Sequence, residues 1–164
     1  MIDLPPLAGQ ATPVVAAVLC ALSVSILLVL TKQHHGHLTM DSTIGVQKAH
    51  VHPTPRVGGV GIYLGLLLAW TLVRDRAVKD ILGTILLAGI PALAFGLLED
   101  VTKVVGVRAR LLATMASGVL AWMLTGIALN RLDVHGLDGL LALTPVAVLF
   151  TAFAVGGVAN AINI

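Results

Sequence analysis

Charge is what this sequence has least of. Asp, Glu, Lys and Arg make up 11% of its 164 residues, and hydrophobic residues make up 57%. A soluble domain carries about a quarter charged residues. A water-soluble globular protein is therefore excluded, and the mean hydropathy of +0.99 points to an integral membrane protein. Cysteine is nearly absent as well. Cys20 stands alone, so no internal disulfide can form, and inside an apolar run it reads as a small inert hydrophobe. The net charge of +2 is too slight to argue for nucleic acid. No Lys or Arg precedes the first apolar run, whereas a secretory signal needs a basic start. That run is read as a retained helix. There is no repeat of solenoid length, no low-complexity tract and no stretch that reads as a separate soluble domain.

What the chain has instead is apolar runs. They are expected as membrane helices over about 14–30, 58–73, 81–98, 111–129 and 140–158. The fold class is all-α, a polytopic bundle of about five transmembrane helices in a single membrane domain over residues 1–164. The 17 glycines fit helices that pack at close range, and Gly61 and Gly65 form a Gly-x-x-x-Gly pair in the second run. Pro91 is expected to kink the third. Lys32 follows the first run, so the positive-inside rule places the N-terminus outside. Lys32, Lys48, Arg56, Lys103, Arg108 and Arg110 then fall inside, against Arg74, Arg76, Lys79 and Arg131 outside. Trp70 and Trp122 lie towards the outer ends of their runs, as interface anchors do.

Two stretches carry chemistry. The third run closes on Gly96-Leu97-Leu98-Glu99-Asp100. Carboxylates at the end of a membrane helix are costly unless they face water, a metal or a cationic ligand. Adjacent helical residues point about 100° apart, but at a helix end both reach one aqueous mouth. The plainer alternative is a pair of solvated residues that stop the helix. The second stretch is Lys48-Ala49-His50-Val51-His52-Pro53-Thr54-Pro55-Arg56-Val57-Gly58-Gly59, in the first inside loop. Its prolines stiffen the backbone, and Gly58 and Gly59 permit close approach. Lys48, His50 and Arg56 supply donors and positive charge suited to an anionic phosphate. The alternative there is a turn with basic residues snorkelling towards headgroups. His34, His35 and His37 read as a solvated loop, and Asp133, His135 and Asp138 fall outside with no chemistry assigned.

These motifs resemble the polyprenyl-phosphate N-acetylhexosamine-1-phosphate transferases, which include the phospho-MurNAc-pentapeptide translocase. The Lys-x-His-x-x-Pro-Thr-Pro-Arg-x-Gly-Gly loop is similar to that of the O-antigen and teichoic branch, and Asp41 also matches. Gly96–Asp100 falls where the family carries Gly-Leu-x-Asp-Asp, with Glu99 in place of the first Asp. Asn160-x-x-Asn163 falls where the family has an Asn-x-x-Asn segment ahead of Asp-Gly. The three motifs come in family order.

The resemblance implies transfer of a sugar-1-phosphate from a UDP-N-acetylhexosamine to polyprenyl phosphate, with release of UMP. The expected setting is the cytoplasmic face of the bacterial inner membrane, at the first membrane step of envelope polysaccharide synthesis. It implies Mg²⁺, with Mn²⁺ as the alternative ion, on Asp100 and Glu99, one of which could instead take a proton. Substrate contacts fall to Lys48, His50, Thr54, Arg56, Gly58, Gly59, Asn160 and Asn163. A homodimer is allowed and no nucleic acid is expected. The family has about twice as many helices, so 1–164 is expected to be the N-terminal half of such an enzyme. The rival readings are an inactive remnant that binds lipid or a partner, and half of a transporter using Glu99 and Asp100 as an ion site. Transporters place such groups near the bilayer midplane, and here they sit at helix ends.

Overall fold

The structure, a computed structural model, describes residues 11–33 and 57–161. Its described residues form helices and no strands: α1 (Ala11–Leu30), α2 (Gly58–Leu72), α3 (Arg76–Thr102), α4 (Val107–Thr125), α5 (Leu137–Leu141) and α6 (Thr144–Ala161). The protein is an all-α, multi-pass membrane protein. α1, α3, α4 and α6 are long and apolar enough to cross a bilayer, while α2 is equally apolar but has 15 residues. At 1.5 Å per residue that is about 22 Å, against a hydrocarbon core of about 30 Å.

Burial is inverted relative to a water-soluble protein. The residues hidden inside are mostly small: Gly61, Gly65 and Ala69 on α2, Ala113, Ser117 and Gly118 on α4, and Ala147, Ala152 and Gly156 on α6. The large ones face outward, and on α1 Val14, Leu19, Leu22, Ile26 and Leu27 are each more than half exposed. In water such a surface would drive aggregation. In lipid it costs nothing, because acyl chains are as apolar as leucine, and helices associate through close packing of small residues instead.

The chain divides into two compact units. The first holds α1, α2 and both ends of α3, through Gly83 and again from Leu97 to Lys103. Here α1 packs on α2. A Cβ on Gly65 would stand 2.5 Å from the Ala17 carbonyl oxygen, and one on Gly61 3.1 Å from that of Ala21. The Gly-x-x-x-Gly pair thus lets two backbones touch. By contrast, a Cβ on Gly58 or Gly59 would meet nothing within 4 Å. Among the described residues, nothing uses the close approach expected of that pair.

The third helix begins earlier than its apolar run. Asp75 caps it by accepting from the Val78 N–H at 3.0 Å, so Lys79 and Asp80, ahead of the apolar run, are helical. The Trp70 indole donates to the Lys79 carbonyl at 3.1 Å, and the Lys79 ammonium lies 5.3 Å from its ring centre. The Trp70 N–H is thereby satisfied within the α2–α3 hairpin.

The second unit holds the middle of α3, from Thr84 to Gly96, with α4, α5 and α6. α4 packs on α6, and a Cβ on Gly118 would lie 2.9 Å from the Ala152 Cα. α3 runs unbroken through Pro91. Beside the proline, the Ala92 N–H donates to Ser117 Oγ at 3.1 Å. A buried hydroxyl on a neighbouring helix is the usual way a membrane helix tolerates proline.

α4 stops at Thr125 rather than near Leu129, because Gly126 takes a left-handed cap with φ of 70°. Beyond it the Leu129 N–H donates to Thr151 Oγ1 at 2.8 Å. The last apolar run is split as well: α5 has five residues and α6 restarts at Thr144, ahead of Pro145.

Candidate functional site

Glu99 and Asp100 belong to the last turn of α3, within the first unit, and both are half-buried. The helix ends just beyond them on Lys103, which adopts φ of 57° and returns its N–H to the Glu99 carbonyl at 2.8 Å. A helix C-terminus carries the negative end of the macrodipole. Two carboxylates there face the wrong way for helix stability and the right way for a cation. Among the described residues, no three His, Cys, Asp or Glu side chains gather. An all-protein metal cage is therefore not built by these residues. A hard cation that keeps waters and shares its shell with phosphates needs only one or two carboxylates, and this donor pair fits that kind of site.

In the second unit, Asn160 lies in the last turn of α6. Its amide nitrogen donates to the Gly156 carbonyl at 2.7 Å and to Thr114 Oγ1 on α4 at 3.3 Å. Arg108 and Arg110 open α4. The helix dipole by itself does not favour cations at that end. They suit an anion or the headgroup side of a membrane.

At the other end of the same unit, about 24 Å along α6 from Asn160, lies a cavity of about 660 Å³ lined in part by Trp122, Asn130, Arg131 and Asp138. Its two charged lining residues are engaged structurally. Asp138 accepts from the Leu132 N–H at 2.8 Å, and Arg131 pairs with Asp133 at 2.6 Å with both side chains about three-quarters exposed (76% and 75%). So exposed a pair contributes little.

Of the residues expected from sequence to form a site, Glu99, Asp100, Asn160, Gly58 and Gly59 fall among the described residues. Lys48, His50, Thr54, Arg56 and Asn163 lie outside them, as do Asp41 and the loop histidines. Thr114 and Ser117 were missed. Each is a lone hydroxyl in an apolar run, and nothing in the linear sequence says which partner it meets.

A family profile described as Glycosyl transferase family 4 matches residues 82–164, half of the chain. The chain belongs to glycosyl transferase family 4. The match takes in both Glu99-Asp100 and the Asn160–Asn163 segment, and begins after the Pro-Thr-Pro-Arg loop. With family 4 membership goes transferase activity of the polyprenyl-phosphate, sugar-phosphate type, and with it a membrane lipid substrate. No curated protein and no solved structure matches the chain.

Proposed function

We propose that this family 4 transferase moves an N-acetylhexosamine-1-phosphate from its UDP derivative to polyprenyl phosphate at the cytoplasmic face of a bacterial plasma membrane. The observation that carries this reading is the carboxylate pair in the last turn of a 27-residue apolar helix, inside the segment that matches the family. An oxygen of the lipid phosphate attacks the phosphorus bonded to the sugar. The bond to the UMP phosphate breaks, UMP leaves, and a polyprenyl diphosphate sugar remains. Both reactants are anions, so charge neutralisation and positioning dominate the barrier.

Glu99 and Asp100 would hold Mg²⁺, or Mn²⁺ in its place, and the ion would neutralise phosphate charge. The residues of the chain do the rest. Arg108 and Arg110 attract the nucleotide phosphates, and Lys48, His50, Thr54 and Arg56 steady a phosphate from the first inside loop. Gly58 and Gly59 leave the mouth of α2 open. Asn160 and Asn163 bond the nucleotide or sugar. Glu99 in place of Asp adds one methylene of reach and keeps the charge.

The test is a transfer assay in detergent with radiolabelled UDP-GlcNAc, polyprenyl phosphate and Mg²⁺. Asp100→Asn should lower lipid-linked product at least about 100-fold with unchanged folding. Wild-type product from both Asp100→Asn and Glu99→Gln would sink the proposal. The same assay on a chain extended past Ile164 asks whether further residues are required.

A further inference from the structure

The two amide hydrogens of Asn160 are both committed. Gly156 O is an acceptor at 2.7 Å and can face only a donor. Thr114 Oγ1 spends its own hydrogen on the Leu111 carbonyl at 2.8 Å, shared with that of Arg110 at 3.1 Å. Towards Asn160, 3.3 Å away, the hydroxyl therefore presents a lone pair. The carboxamide orientation follows from chemistry: its NH₂ turns into the α4–α6 seam and its Oδ1 turns away. Among the described residues, no group donates to that oxygen.

We propose that Thr114 is a positioning residue that fixes the Asn160 carboxamide with its oxygen outward, so that Asn160 meets an N–H or O–H group of the sugar nucleotide and not a phosphate oxygen. This rests on the assignment of Asn160 as a substrate contact. Gly156 sets the distance, because a Cβ there would lie 2.9 Å from Met115 Cγ and 3.5 Å from Thr114 Oγ1.

The test is calorimetric binding of UDP-N-acetylglucosamine to the full chain in detergent, with thermal unfolding as the folding control. Thr114→Val should weaken binding about three- to tenfold, the scale of one neutral hydrogen bond. Thr114→Ser should restore it. Added to Asn160→Ala, Thr114→Val should weaken binding no further, because the two act as one unit. Pyrophosphate, which offers acceptor oxygens, should show the same affinity for wild type and Asn160→Ala, including no detectable binding to either. A loss of pyrophosphate affinity in step with the sugar nucleotide overturns the donor assignment.

Wild-type binding by Thr114→Val alongside weakened Asn160→Ala overturns the role of Thr114 and leaves Asn160 as a contact. Wild-type binding by Asn160→Ala instead removes Asn160 from the substrate site. Side-chain amide exchange, read by NMR on ¹⁵N-asparagine protein, then decides the geometry. Slow exchange at Asn160 that becomes fast in Thr114→Val keeps the positioning bond, and fast exchange in the wild type overturns it.

Discussion

The α1–α2 seam and the α4–α6 seam solve the same packing problem with different chemistry. Both rely on glycine where helices cross. In the first, Gly61 and Gly65 meet backbone carbonyls of Ala21 and Ala17. In the second, Gly118 meets Ala152, Gly156 meets Met115, and the contact ends in the Asn160–Thr114 hydrogen bond. Lipid provides no hydrophobic drive to join helices, so contact distance carries the first seam. The first also holds the Ser25 hydroxyl, 3.2 Å from where a Gly61 Cβ would stand, but the second adds a hydrogen bond between side chains of the two helices, which contributes direction as well as attraction. A seam that only holds helices together needs no polar group. One that also aims a carboxamide does.

Substitutions can break this contrast in a definite order. Gly65→Ala should cost most, about 2–3 kcal/mol, because the new methyl meets a backbone oxygen that cannot move alone. Gly118→Ala meets the Ala152 backbone less closely and should cost somewhat less. Gly156→Ala should be milder still, since Met115 is flexible. Thermal unfolding in detergent gives the ranking, and equal costs at all three would show that distance to backbone is not what matters. Nucleotide binding should rank the other way: Gly156→Ala perturbs it through Thr114, and Gly65→Ala leaves it unchanged.

Two smaller effects sharpen the comparison. Ser117→Ala removes the acceptor beside Pro91 and should destabilise the second unit by about 1 kcal/mol. An unchanged unfolding midpoint would mean that another group takes the Ala92 N–H. Lys103→Gly should stabilise by about 0.5–1 kcal/mol, because φ of 57° strains a residue with a Cβ and suits glycine. Destabilisation there would show that the Lys103 side chain outweighs the relief of strain.

Much of the fold was legible beforehand because membrane helices announce themselves by uninterrupted apolar length. Their ends were less legible, since they are decided by single residues. Asp75 starts α3 ahead of its apolar run, and Gly126 ends α4 before its run is over. Glu99, Asp100 and Asn160 stood out because a polar group in apolar sequence is expensive unless it does something. Thr114 and Ser117 did not stand out, because a hydroxyl can satisfy itself on its own helix.

The sequence by itself determined that this is a helical membrane protein whose carboxylates close its third helix, because composition and run length act locally and need no partner. Only the tertiary structure decided which glycines touch a neighbour and which stand open, as Gly65 and Gly59 show. It alone decided which atom of Asn160 turns inward. Both depend on what lies across a seam tens of residues away in the chain, and local sequence does not encode that distance.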